Sequence, residues 1–161
     1  MLNKKIALLG AAAIAMVSTG ANAATTSATA EVDILAPVTL SQTATLDFGV
    51  VAAAAAAGTV QLPNNSDTRI CSVGLACVGL ANRGAFSVTG ANTYTVVVTV
   101  DASTTLTGGG APMTLNLDPS VSTLVATGAA QTFHVGGTLT VGAGQAAGTY
   151  SGTYNVSADY Q

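Results

Sequence analysis

The sequence predicts an all-β protein built as an antiparallel β-sandwich, and three observations lead there. Apolar side chains recur at every second position in many short runs, which is the period of a half-buried strand. Those runs are separated by clusters of Gly, Pro, Asn and Asp, the residues that turn a chain. Thr, Val, Ala and Gly dominate, whereas charged residues make up 7% and aromatic residues 4% of the chain. Scarce aromatics also suit disorder, but disorder needs low hydrophobicity and high net charge, and 49% of this chain is apolar.

Lys4 and Lys5, the apolar run from Ile6 to Val17 and the Ala21-Asn22-Ala23 site form a secretory signal, with cleavage expected before Ala24. A run of that length is too short to cross the roughly 30 Å of a bilayer as a helix, and no later run is longer, so the mature chain is expected not to insert in a membrane. Residues 1–23 are thus a signal peptide and residues 24–161 a single sandwich domain. The protein is expected in the periplasm, at the cell surface or outside the cell. Cleavage removes both lysines. Arg69 and Arg83 then face Glu31, Asp33, Asp47, Asp67, Asp101, Asp118 and Asp159, a net charge of −5. Nucleic acids and anionic lipids bind clustered Lys and Arg, so neither is an expected partner.

Ala28, Ala30, Val32 and Ile34 alternate with Thr29, Glu31 and Asp33, which predicts a strand within 24–36. Ala36-Pro37 interrupts it, because proline lacks a donor and restricts the residue before it. Such a strand is either one that leaves the body to pair elsewhere or an ordinary bent first strand. Val38, Leu40 and Gln42 start a further alternation leading to Leu46-Asp47-Phe48-Gly49. The six alanines from Ala52 to Ala57 predict a loop with at most one helical turn, since so short a helix is marginal in water. Gly58 to Leu62 reads as a strand, and Leu62 to Asp67 as a turn.

Cys71 and Cys77 are too far apart in a straight strand, about 20 Å, for a bridge. A hairpin centred on Gly74 brings them together. Two cysteines without a C-x-x-C motif in an exported chain predict one structural disulfide, worth about 2 kcal/mol for so small a loop. Further alternations follow at Phe86–Val88, Tyr94–Val100, Met113–Leu117 and Phe133–Val141, with Gly108 to Gly110 as a hairpin loop. That makes eight to ten strands, with turn signals between them and no helical segments to suggest βαβ units.

The chain ends on its longest alternation. Gly148, Tyr150, Gly152, Tyr154, Val156, Ala158 and Tyr160 share one parity, and Ser151, Thr153, Asn155, Ser157 and Asp159 the other. A strand of that length spans roughly 40 Å, about twice the usual.

Groups able to do chemistry are few. His134 is the only histidine and falls on the polar parity of its strand, so it is expected at the surface. The carboxylates are dispersed, and no phosphate loop, nucleophile elbow or metal-ligand spacing occurs. No catalytic, cofactor or metal site is expected, and enzymatic activity is not expected.

Tyr160 in the penultimate position and Gly148 fourteen from the end, joined by alternating residues, resemble the C-terminal motif of chaperone-usher pilus subunits. Over most of the mature chain, the small-residue N-terminal run, the Leu46-Asp47-Phe48-Gly49 turn, the Gly58–Leu62 strand and the Leu139–Val156 pattern resemble a secreted bacterial family of unassigned function. That family is related to spore coat protein U and more distantly to fimbrial subunits. The resemblance implies an immunoglobulin-like (pilin-like) sandwich and a surface-structural role. It also implies copies of itself and a periplasmic chaperone and usher as partners. Residues 24–36 would then be the donor strand, entering a groove beside Tyr150–Tyr160 of a neighbour. The disulfide departs from fimbrial subunits, where it usually joins the first strand to its neighbour. The expected function is an exported, non-enzymatic structural protein assembling by β-strand exchange. The alternatives are a monomeric, self-contained binding module and, less favoured, a secreted hydrolase.

Overall fold

A computed structural model describes Gly20 and residues 22–161. Residues 1–19 and 21, most of the expected signal segment, lie outside the described residues. The chain divides into two units at Asp33/Ile34. In the first, residues 22–33 carry neither strand nor helix and are exposed, Val32 by 82%.

The second unit, Ile34–Gln161, holds twelve strands. They are β1 (Thr39–Ala44), β2 (Val50–Ala52), β3 (Gly58–Leu62), β4 (Ile70–Cys71), β5 (Ala76–Val78) and β6 (Gly84–Thr89), then β7 (Thr95–Val100), β8 (Ser103–Leu106), β9 (Met113–Pro119), β10 (Thr123–Val125), β11 (Gln131–Val141) and β12 (Val156–Tyr160). No helix occurs among the described residues, and every strand pairing is antiparallel. Seven strands make one sheet in the order β1-β6-β11-β3-β4, with β9 also on β11 and β8 on β9; β10-β7-β12 form a second sheet and β2-β5 a two-stranded ribbon. The fold is an all-β, antiparallel sandwich, as the period-two pattern predicts.

Strand β11 is the hub, pairing with β6, β9 and β3. Its middle is Gly136-Gly137 because backbones approach there: a Cβ on Gly136 would lie 2.3 Å from the Leu62 carbonyl oxygen, and one on Gly137 2.5 Å from that of Asn116. Two apolar cores lie on either side of this crossing. One gathers Phe86, Val88, Val96, Val98, Ala126, Phe133 and Val135 between the large sheet and the three-stranded sheet. Cross-strand partners Phe86 and Phe133 stack there with ring centroids 5.4 Å apart. The other core gathers Phe48, Val60, Leu62, Met113, Leu115, Leu139 and Val141 on the far half of the large sheet.

Several expectations are corrected. The strand expected within 24–36 is absent, and its Val32 and Ile34 are exposed by 82% and 89%. Alternation assigns side chains to two faces, but a strand also needs an edge to bond with, and within 24–36 there is no paired strand. The alanine run from 53 to 57 is a loop, as expected, and makes no helical turn. The turn at Gly74 exists, with Leu75 N–H donating to Ser72 O (3.1 Å) and Gly74 at φ +98°, but it closes no hairpin. Its flanks part, β4 pairing with β3 and β5 with β2.

The long terminal strand is shorter than expected, with only Val156–Tyr160 in a ladder. Upstream, Ser151 makes a single bridge to Thr107 beside β8 of the large sheet, whereas β12 pairs with β7 of the small one. The segment changes sheets, which breaks the ladder between them. His134 is half-buried rather than at the surface, and Ser120 bonds its backbone N–H and C=O at 2.9 and 2.8 Å.

Candidate functional site

The three-stranded sheet covers only one of the two cores. Over the other, the large sheet is roofed by two segments, 44–53 and 145–154, and a cleft of about 990 Å³ opens between them. Its floor is core: Leu106, Met113, Leu115, Leu139 and Val141. One wall continues β1 through Leu46 and Phe48 into β2. The other leads into β12 and contributes Gly148, Tyr150, Gly152 and Tyr154.

The second wall is extended chain, bridged to the large sheet at Ser151, with one row of main-chain groups left unpaired. Ser151 exchanges backbone bonds with Thr107 (2.9 and 3.0 Å), Thr153 O accepts from Thr104 Oγ1 (2.6 Å), Asn155 O accepts from Asp101 N–H (3.1 Å), and Gln161 N–H donates to Thr95 O (3.0 Å). These odd-numbered residues therefore spend their main-chain groups on β8 and β7. Successive residues in extended chain aim their backbone groups oppositely, so Tyr150, Gly152, Tyr154, Val156, Ala158 and Tyr160 point theirs the other way. Among the described residues these groups have no backbone partner. The same parity is half-buried through Tyr150, Tyr154, Val156, Ala158 and Tyr160, and the odd parity is exposed.

Side chains hold the rims. Gln145 Nε2 donates to Ala111 O (2.6 Å) and to Tyr150 Oη (2.9 Å), and Tyr150 Oη donates to Ala146 O (2.9 Å). Gly144 N–H donates to Ala54 O (2.8 Å), tying the two walls together. At the other end, Tyr160 Oη accepts from Ala91 N–H (2.6 Å) and donates to Ala36 O (2.7 Å), fixing where the chain enters β1. Val156, Ala158 and Tyr160 pack against the covered core, outside the cleft.

The ribbon β2-β5 carries part of the first wall. Cys77 lies opposite Val51 in its register, and Cys71–Cys77 form a disulfide, Cα to Cα 6.6 Å. The Arg69 guanidinium donates to the carbonyls of Phe48, Val78 and Gly79, the last at 2.9 Å. The role of Arg69 is invisible in the sequence, because its three acceptors are main-chain atoms of residues far along the chain.

Four of the seven carboxylates brace loops. Asp47 accepts from Gly49 N–H, Asp101 from Asn155 at 2.7 and 3.0 Å, Asp118 from Asn64, and Asp67 from Arg83 at 2.9 Å. Hydrogen bonding from the Arg83 side chain, and then from its backbone, holds Asp67 below the usual carboxylate range. Burial pushes the Tyr154 phenol above its ordinary value, and its hydroxyl is buried without a partner. No group of three or more potential metal ligands occurs among the described residues.

Of the residues singled out in the sequence, the structure joins Cys71 to Cys77 and gathers Gly148, Tyr150, Gly152 and Tyr154 at the cleft. Ala28, Ala30, Val32 and Ile34 are exposed and unpaired in any ladder. No curated protein and no solved structure matches the chain. The family model of a domain of unknown function, DUF4402, matches residues 38–160, which takes in all twelve strands and both cysteines, and the chain belongs to that family.

Proposed function

We propose that this is an exported, non-enzymatic structural subunit whose immunoglobulin-like, pilin-like sandwich assembles at the bacterial surface by strand exchange. In this reading, Thr25–Ile34 of one copy enters the cleft of another. Its main chain bonds the open groups at Tyr150–Tyr154, and Ala28, Ala30, Val32 and Ile34 cover the floor. The resemblance in sequence to a secreted family related to spore coat protein U, and more distantly to fimbrial subunits, points the same way, and a periplasmic chaperone would guard the open groups before assembly.

The observation that carries the reading is an extended segment with a row of unpaired main-chain groups, running beside an apolar core that the second sheet leaves uncovered. Unpaired rows of that kind are otherwise avoided, because they recruit strands. Small donor side chains suit walls built from Ala52, Ala53, Ala146, Ala147 and Gly148. A second reading, a self-contained monomeric binding module, is favoured by one fact: among the described residues, Ile34–Gln161 holds every strand without the N-terminal segment.

Deleting residues 24–36 separates the two. Strand exchange predicts loss of high-mass assemblies with the fold kept, and recovery of binding when a peptide of residues 25–34 is supplied. A protein that is monomeric with or without the deletion, and ignores the peptide, supports the module.

A further inference from the structure

We infer that the Cys71–Cys77 disulfide is a competence lock for the cleft, positioning its β2 wall rather than stabilising the sandwich as a whole. The inference rests on the strand-acceptor reading above.

Val50, Val51 and Ala52 line the cleft, and their only ladder is the three-pair ribbon with β5. A two-stranded ribbon that short is marginal by itself. The outer residues Val50 and Val78, an opposed pair, are exposed by 61% and 57%, so little burial holds the ribbon from that side. On its inner side Val51 and Cys77 pack against the core, and Gly144 N–H bonds Ala54 O just past β2; two further ties run to the body. Cys77, opposite Val51, is bonded to Cys71, and Cys71 pairs with Val60 of β3, a fully buried strand residue of the large sheet. Arg69 clasps Phe48 on one side of the ribbon and Val78 and Gly79 on the other. The bond thus runs from the sheet that forms the floor to the ribbon that forms the wall.

Reduction by a dithiol takes up two electrons and two protons at the disulfide, giving two thiols while the dithiol closes to its own cyclic disulfide. The ribbon then keeps Arg69 but loses its covalent tie, and the wall can move off the floor. Exported chains meet an oxidising environment, so the bond would form only after export, and the cleft would become competent only there.

The test uses residues 24–161 carrying V32D and I34D, so that the chain's own segment does not compete, and a synthetic peptide of residues 25–34 as probe. Peptide affinity is measured in the oxidised protein, after dithiothreitol, and in the C71S/C77S variant, with amide exchange read in parallel. The expected result is at least a tenfold weaker affinity without the bond, faster exchange at Val50–Ala52 and Ala76–Val78, and unchanged exchange in β6 and β11. R69Q in the oxidised protein, which loosens the second tie, should weaken the peptide in the same direction. Equal affinity with and without the bond overturns the lock and leaves the acceptor reading standing. No binding even when oxidised overturns both. Global unfolding on reduction also overturns the lock, because the bond would then hold the whole sandwich.

Discussion

Replacing Val32 and Ile34 by alanine removes apolar carbons that the isolated chain leaves in water, so it separates assembly from folding. Val→Ala deletes two carbons and Ile→Ala three; at about 0.8 kcal/mol per buried CH₂ these stand for about 1.6 and about 2.4 kcal/mol. Weighted by present exposures of 82% and 89%, burial of the pair against a neighbour would contribute about 3.4 kcal/mol. That corresponds to roughly a 300-fold weaker association in V32A/I34A. The folded monomer should lose no more than about 0.5 kcal/mol, since neither side chain is packed in it. Sedimentation across a concentration series reads the association, and urea unfolding of the monomer reads the stability. An unchanged association constant would refute strand exchange through these residues. A loss of several kcal/mol from the monomer would instead show that the segment belongs to the fold.

Three further outcomes follow from the core and the turns. Phe133→Ala removes a ring that is 2% exposed and stacked on Phe86, and should lower the urea-derived stability by about 3–5 kcal/mol. Thr93 sits at φ +73° in the turn where Tyr94 N–H bonds Ala91 O, so Thr93→Gly relieves backbone strain and should raise stability by about 1 kcal/mol after the flexibility of glycine is counted. The phenol of Tyr154 is raised in the folded state, so its contribution is whole below the ordinary value of 10.0 and is lost as pH climbs through the folded value. Ultraviolet titration should show one tyrosine ionising late, Tyr154→Phe should abolish that step, and the variant should be at least as stable as the parent because the lost hydroxyl has no partner.

Much of the sandwich was legible in the sequence because its strands have one face in a core. Val60 and Leu62, Phe86 and Val88, Val96 and Val98, and Phe133 and Val135 are buried at every second position, which is the pattern that identified them. The strands it missed have little to bury. β2, β5 and β10 are three residues long and half-exposed, so their alternation is too brief to read, and Val50–Ala52 is masked by the alanines that follow. The opposite error arose at both ends. Ala28–Ile34 alternates without a partner edge, and Gly148–Asn155 alternates while passing between two sheets. Periodicity records which side chains share a face and is silent on whether an edge is available. The cleft was half legible for the same reason. Its Tyr150–Tyr154 wall carries a pattern, whereas the wall from Leu46 to Ala53 and the clasp of Arg69 depend on contacts between distant residues.

The open row of main-chain groups can be measured directly, by amide hydrogen exchange at Tyr150, Gly152 and Tyr154 in the monomer and in assembled material. The account predicts fast exchange at these three amides in the monomer and strong protection once assembled, with Ser151, Ser157 and Asp159 protected in both. Protection of the three in the monomer, or continued fast exchange in the assembly, would contradict it.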